Sequence, residues 1–149
     1  MSDKKIEIGQ IGTAKLKVAF QHTAKAISLD EHDDFPEVYA TSSMIALMEL
    51  AAARIMLPLL KEGQLSVGVG MNIQHLSATP VGVEVVAKAV FQGMEGKLYK
   101  FSVEASDTGG LIGRGEHTRA IIETDRLIAG AKSKLKLITL YKIIDFSPI

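Results

Sequence analysis

Ala40-Thr41-Ser42-Ser43-Met44-Ile45-Ala46-Leu47-Met48-Glu49-Leu50-Ala51-Ala52-Ala53-Arg54-Ile55-Met56-Leu57 is the stretch that decides the fold of this chain. Alanine, leucine and methionine dominate it, and all three lose little on entering a helix. Thr41 or Ser42 can cap its start, and Pro58 stands where a helix is easily stopped. A helix here is apolar on most of its circumference. It cannot lie on a flat sheet with one face in water, and needs a curved sheet wrapped around it or a sheet plus a partner subunit. Glu49 breaks the pattern. Its neighbours three and four residues away are Ile45, Ala46, Ala52 and Ala53. A carboxylate in such company is costly unless it is paired, neutralised or used. Thr41 projects within roughly 80° of Glu49, about two turns closer to the helix start.

Outward from the helix, alternation predicts strands. Residues 14–20 set Leu16, Val18 and Phe20 against Lys15, Lys17 and Ala19. Residues 29–38, with Asp30, Glu31, His32, Asp33, Asp34 and Pro36, read as a loop entering the helix. After a turn at Lys61-Glu62-Gly63, strands are predicted over residues 65–78, 83–92, 97–106 and 111–123. The second puts Val83, Val85, Ala87, Ala89 and Phe91 on one face; the third does the same with Tyr99, Phe101, Val103 and Ala105. Thr79-Pro80-Val81-Gly82, Gly93-Met94-Glu95-Gly96 and Asp107-Thr108-Gly109-Gly110 supply turn chemistry between them. The expected architecture is an antiparallel sheet curved around one central helix. Residues 125–134 read as a short amphipathic helix and residues 135–141 as a further strand, a tail that covers a sheet edge or packs on a second subunit.

Composition narrows the function. At 149 residues the chain is expected to be one domain, 1–149, with a full core. Seventeen basic and 17 acidic residues cancel, so no general attraction to nucleic acid or to an anionic membrane is indicated. Lys132, Lys134 and Lys136 lack aromatic interleaving and read as a solvated face. The absence of cysteine excludes disulfides, thiolate metal sites and a cysteine nucleophile. No signal peptide is read at the start, and Glu49, Arg54 and Pro58 interrupt the apolar run, which argues against a membrane span. A cytoplasmic location is expected.

Val38-Tyr39-Ala40-Thr41, Glu49 on the helix, and His75-Leu76-Ser77-Ala78-Thr79-Pro80-Val81-Gly82 together resemble the hotdog-fold thioesterases of the fluoroacetyl-CoA thioesterase type. The run Gly110-Leu111-Ile112-Gly113-Arg114-Gly115-Glu116-His117-Thr118-Arg119-Ala120 extends the resemblance over roughly residues 13–124. It implies an α+β hotdog fold, an antiparallel sheet around one long central helix. It also implies a homodimer with active sites at the subunit interface, pairing into tetramers being left open. The implied reaction is hydrolysis of a short-chain acyl-CoA to carboxylate and CoA, with no metal and no cofactor beyond the CoA of the substrate. The family's catalytic Thr, Glu and His fall on Thr41, Glu49 and His75, and a glycine near its site falls on Gly68.

Thioester hydrolysis needs an activated water or nucleophile and donors for the developing oxyanion. Glu49 could serve as base or nucleophile, His75 as proton shuttle, and Thr41 as nucleophile, water anchor or helix cap. Ser42 and Ser43 place two more hydroxyls beside Thr41, so the active one stays open. Each residue alone has a plainer reading: Glu49 in an interface ion pair, His75 as a satisfied strand histidine, Thr41 as an N-cap. Arg114 and Arg119 are candidates for the phosphates of CoA, Phe35 with Pro36 for a lid or a hydrophobic staple. Gly113 and Gly115 suit close packing, a bulge or ligand approach. His32, Asp33 and Asp34 read as a solvated loop rather than a metal site. Two rival functions remain: a non-catalytic acyl-CoA-binding module, and a hotdog hydratase or dehydratase, whose closely spaced Asp–His pair is not found here.

Overall fold

Period-two alternation along three consecutive strands builds the wall of this molecule. The computed structural model describes residues 4–145. In chain order it runs β1 (Ile11–Lys17), two short 3₁₀ turns (Phe20–His22 and Lys25–Ile27), α1 (Thr41–Met56) and a third 3₁₀ turn (Leu57–Leu59). It continues with β2 (Gln64–His75), β3 (Glu84–Glu95), β4 (Leu98–Asp107), β5 (Gly110–Glu123) and α2 (Thr124–Asp145). The five strands form one antiparallel sheet in the order β1-β3-β4-β5-β2. Val85, Ala87, Ala89 and Phe91 from β3, and Phe101, Val103 and Ala105 from β4, are buried on its inner face. Against them lie Met44, Leu47, Met48, Ala51, Ala52, Ile55 and Met56 of α1. Each larger side chain so buried contributes about 1.5–3 kcal/mol, and the sheet curls because only a curved surface can cover a helix apolar on so many sides. By length and composition Thr41–Leu59 would pass for a membrane span. The three interruptions read from the sequence do not prevent that; it is packing under the sheet that gives the apolar surface its partner.

Three sequence-based expectations need correction. The first strand ends at Lys17 rather than Phe20. Phe20 opens a 3₁₀ turn and is half exposed, because His22 Nδ1 accepts from the Ala19 amide at 2.9 Å and the Thr23 hydroxyl donates to the Phe20 carbonyl at 2.7 Å. These local bonds compete with the ladder for backbone groups. Residues 135–141, expected as a strand, belong to α2, which continues unbroken from the end of β5. Both ladder sides of β5 are taken by β4 and β2, so the chain leaving β5 cannot fold back onto it as the next strand, and the Leu and Lys residues of the segment are sound helix formers. The segment expected as a short amphipathic helix is the start of this same helix. Its apolar side chains Leu127, Ile128, Leu137, Ile138 and Leu140 are spread around the axis and exposed.

Candidate active site

The start of α1 departs from the capping expected of it. Ala40 is the N-cap residue, and Thr41 is already the first helical residue. Its hydroxyl therefore has no amide to cap. It meets Nδ1 of His75, the last residue of β2, at 2.8 Å. Neither Ser42 nor Ser43 makes that contact; the Ser43 carbonyl accepts from the Tyr39 hydroxyl at 3.2 Å. Among the three neighbouring hydroxyls, Thr41 is the one the fold joins to an imidazole. The other ring nitrogen of His75, Nε2, is buried and has no partner among the described residues, a condition that costs about 1–3 kcal/mol.

Thr41 and His75 line an open cleft of about 380 Å³ with Ala24, Val38, Tyr39, Ala40, Leu76, Ser77 and Ala78. Burial pushes the Tyr39 phenol up to about 12, so it stays a neutral donor and offers no competing base. Phe35 is half exposed and does not line this cleft.

Glu49 lies elsewhere. Eight residues along a helix is about 12 Å, so Glu49 sits midway down α1 and away from the Thr41–His75 pair. Its carboxylate lies over Gly68 of β2: a Cβ built on Gly68 would collide with Glu49 Oε1, and would sit 3.2 Å from Glu49 Cδ and 3.3 Å from His117 Cε1. Here glycine is required by close approach, since Gly68 is not among the residues with positive φ. A β-bulge between Gly68 and Gly70 shapes the same spot, with Gly68 opposite Arg119 and Gly70 opposite Thr118. Among the described residues no hydrogen bond or ion pair ties the Glu49 carboxylate directly.

Arg119 and His117 complete this second group. They are 6% and 1% exposed, on the inward face of β5. Arg119 donates through Nε to the Ser66 hydroxyl at 3.1 Å and through Nη2 to the Ser66 carbonyl at 2.8 Å. Its Nη1 lies 3.2 Å from Nε2 of His117, whose Nδ1 lies 2.7 Å from the Gly70 carbonyl. Burial is the main cause lowering the His117 pKa; the bond to Gly70 opposes it, the Arg119 charge adds to it, and the Glu49 charge opposes it. Burial likewise lowers Arg119, while Glu49 acts in the opposite sense. Arg119 thus faces inward to Glu49, not outward as an exposed phosphate ligand. Arg114, odd with even, points to the opposite face. There it joins Lys88, Glu104 and Glu116 around a larger cavity of about 600 Å³, remote from α1. Within one protomer the two arginines do not meet at one phosphate group.

Gly113 is settled by packing, since a Cβ there would press on the Met44 side chain. His32 is exposed beside Asp30, and among the described residues no group of three metal-ligating side chains occurs. His117 was not singled out from the sequence. The available signal was its position two residues before Arg119, which puts both on one face of a strand.

A family model described as "Fluoroacetyl-CoA-specific thioesterase" matches residues 18–125. The chain belongs to this family. A relative named fluoroacetyl-CoA thioesterase, from Streptantibioticus cattleyicolor, is 38% identical over 104 residues, 70% of this chain and 75% of that one. The solved structure of the fluoroacetyl-CoA thioesterase FlK superposes with a TM-score of 0.81 at 34% identity, covering 88% of this chain and 98% of the other. A Thermus thermophilus hypothetical protein described as a thioesterase superfamily member gives 0.80 at 28% identity, covering 92% and 98%. With these neighbours the wrapped helix and five-stranded sheet are identified as a hotdog fold. Family membership joins Thr41, Glu49, His75, Gly68 and Arg119 to one matched segment, and the geometry divides them into two groups within the protomer.

Proposed function

We propose that this chain hydrolyses a short-chain acyl-CoA thioester to carboxylate and CoA. We further infer that it works as a homodimer, with Thr41 and His75 of one protomer facing the partner's Glu49. The observation that carries the reading is the 2.8 Å contact between Thr41 and His75 at the start of α1. In the first helical turn the amides precede the first intrahelical bond, from Met44 N to Ala40 O. They suit the oxyanion formed when the thioester carbonyl is attacked. Thr41, oriented by His75, anchors the attacking water or the carbonyl, and the Glu49 carboxylate takes the proton that the water gives up on attack. The thiolate of CoA leaves without much assistance. No metal or redox group takes part in this scheme.

Two features support the dimer. β2 is a 12-residue strand at the sheet edge, with a free ladder side. Antiparallel pairing of β2 with its copy about a two-fold axis near Met71 and Asn72 would set Gly68 opposite the partner's His75. Glu49 lies over Gly68, so such pairing would close the distance that separates the two groups in one chain. It would also bring a partner to the orphaned Nε2 of His75.

The test of function is release of free CoA from acetyl-, fluoroacetyl- and longer acyl-CoAs, read with a thiol reagent; a chain without cysteine adds no background. Turnover by the wild type that collapses in a folded Glu49→Gln variant is expected, and wild-type silence on every acyl-CoA would sink the proposal. Mixing separately inactive Thr41→Val and Glu49→Gln proteins through an unfolding and refolding cycle checks the shared site. Half the dimers become mixed and each holds one sound site, so about a quarter of wild-type activity returns. A site contained in one protomer would return none.

A further inference from the structure

We propose that His117 is a positioning residue for this reaction: it fixes Arg119 and the Gly68–Gly70 bulge so that the Glu49 carboxylate is held in one place. The inference rests on the catalytic reading of Glu49 given above. Both ring nitrogens of His117 are committed to partners of opposite character. The Gly70 carbonyl can only accept, so Nδ1 carries hydrogen; the Arg119 guanidinium can only donate, so Nε2 is a lone pair. His117 is therefore a neutral imidazole in a single tautomer. Phe101 holds the ring at a 6.3 Å centroid separation, and only 1% of the residue is exposed.

Each end of this bracket leads to Glu49. At one end the bond to Gly70 pins the strand just after the bulge, and that bulge presents the bare Cα of Gly68 to the carboxylate. At the other end His117 accepts one arm of Arg119 while Ser66 accepts the remaining two. Arg119 is then oriented by three bonds, none of them to Glu49, and its charge acts on Glu49 from a fixed position. A buried guanidinium beside a carboxylate could instead collapse into a direct ion pair, which would occupy the oxygens needed for water. Ser66 and His117 hold it back from that. A histidine that merely fills the core would need neither bond, and phenylalanine would serve as well.

Two replacements separate the ends. In His117→Asn the side-chain amide nitrogen lies near Nδ1 and keeps the Gly70 bond, while the acceptor for Arg119 is lost. In His117→Gln the side-chain carbonyl reaches the Nε2 position and keeps Arg119 in place. With acyl-CoA turnover as readout, kcat is expected to fall about ten- to hundredfold in His117→Asn. KM is expected to hold within about threefold, and His117→Gln to recover a large part of the loss. Equal kcat in wild type and folded His117→Asn, or a kcat that follows only thermal stability across Asn, Gln and Phe variants, overturns the inference. Should His117→Asn fail to fold, ¹⁵N spectra of histidine-labelled wild type decide. A neutral Nδ1–H tautomer at pH 7 supports the bracket, and an Nε2–H or cationic ring overturns it. Silence in the wild type, or full activity in Glu49→Gln, overturns the Glu49 reading and this inference with it; loss in Glu49→Gln alone overturns only this inference.

Discussion

Placing one methyl group on Gly68 is expected to separate activity from stability. The backbone there accepts alanine without strain, since its φ is not positive. The new Cβ collides with Glu49 Oε1 and lies 3.2 Å from Cδ and 3.3 Å from His117 Cε1. Carbon and oxygen settle near about 3.5 Å, so the carboxylate has to retreat by about 1 Å or more. It is the far end of a flexible side chain and can do so. The stability cost is therefore at the low end of overpacking, about 1 kcal/mol, partly offset by the lower entropy of an unfolded alanine. At about 2–4 °C per kcal/mol the melting temperature moves little. Catalysis tolerates such a shift poorly: a misplacement of about 1 Å can cost about a hundredfold, equivalent to about 2.7 kcal/mol of barrier. The assay is CoA release beside thermal unfolding, for Gly68→Ala in the wild-type and Glu49→Gln backgrounds. A large loss in the first and almost none further in the second is expected, because the severe clash is with the carboxylate and the contact with His117 is the milder one. Undiminished kcat in Gly68→Ala, or an equal proportional loss in both backgrounds, would refute this account of Glu49.

Thr41→Val removes the hydroxyl that meets His75 while Ala40 remains the N-cap. Expected are a kcat lower by about a hundredfold or more and a melting temperature within a few degrees of wild type; Thr41→Ser should keep much of the activity, and an active Thr41→Val would displace Thr41 from the site. Acid stability should depend on His117. Its folded pKa is depressed below the ordinary value of about 6.5, so below that pH the unfolded chain binds the proton more readily. Stability is fully present above about pH 6.5 and declines as pH falls, by up to about 1.4 kcal/mol per unit. Urea midpoints at pH 8 and pH 5.5 should converge in His117→Gln relative to wild type; an unchanged difference would contradict the buried neutral ring.

The helix and the inner faces of β3 and β4 were legible because burial imposes a period that composition cannot hide. Phe101, Val103 and Ala105 alternate with Ser102 and Glu104, and the same period assigns Val85, Ala87, Ala89 and Phe91 to the inner face although Val86 and Val90 stand among the outward positions. The tail is not legible in the same way, because Leu135-Lys136-Leu137 alternates too and period two over so short a run does not tell a strand from an exposed helix. The site divided in the same way. Thr41, Glu49 and His75 were identifiable as chemistry, but their grouping depends on distances of about 12 Å along a helix that spacing alone had made look convergent. Facing the same way is different from being adjacent.

That difference also explains what His117 and Gly68 do. A helix carrying a hydroxyl at its start and a carboxylate two turns on cannot bring both to one bond within a single chain. It can offer each to a different neighbour: the hydroxyl to the end of β2, the carboxylate to its bulge. The bulge admits the carboxylate only because residue 68 has no side chain, and it keeps its shape because a histidine from β5 bonds the Gly70 carbonyl behind it. In this fold the position of Glu49 is therefore set by strands rather than by the helix that carries it. Substitutions at Gly68, His117 and Arg119 should consequently resemble partial losses of Glu49, while Arg114, on the far face, should not.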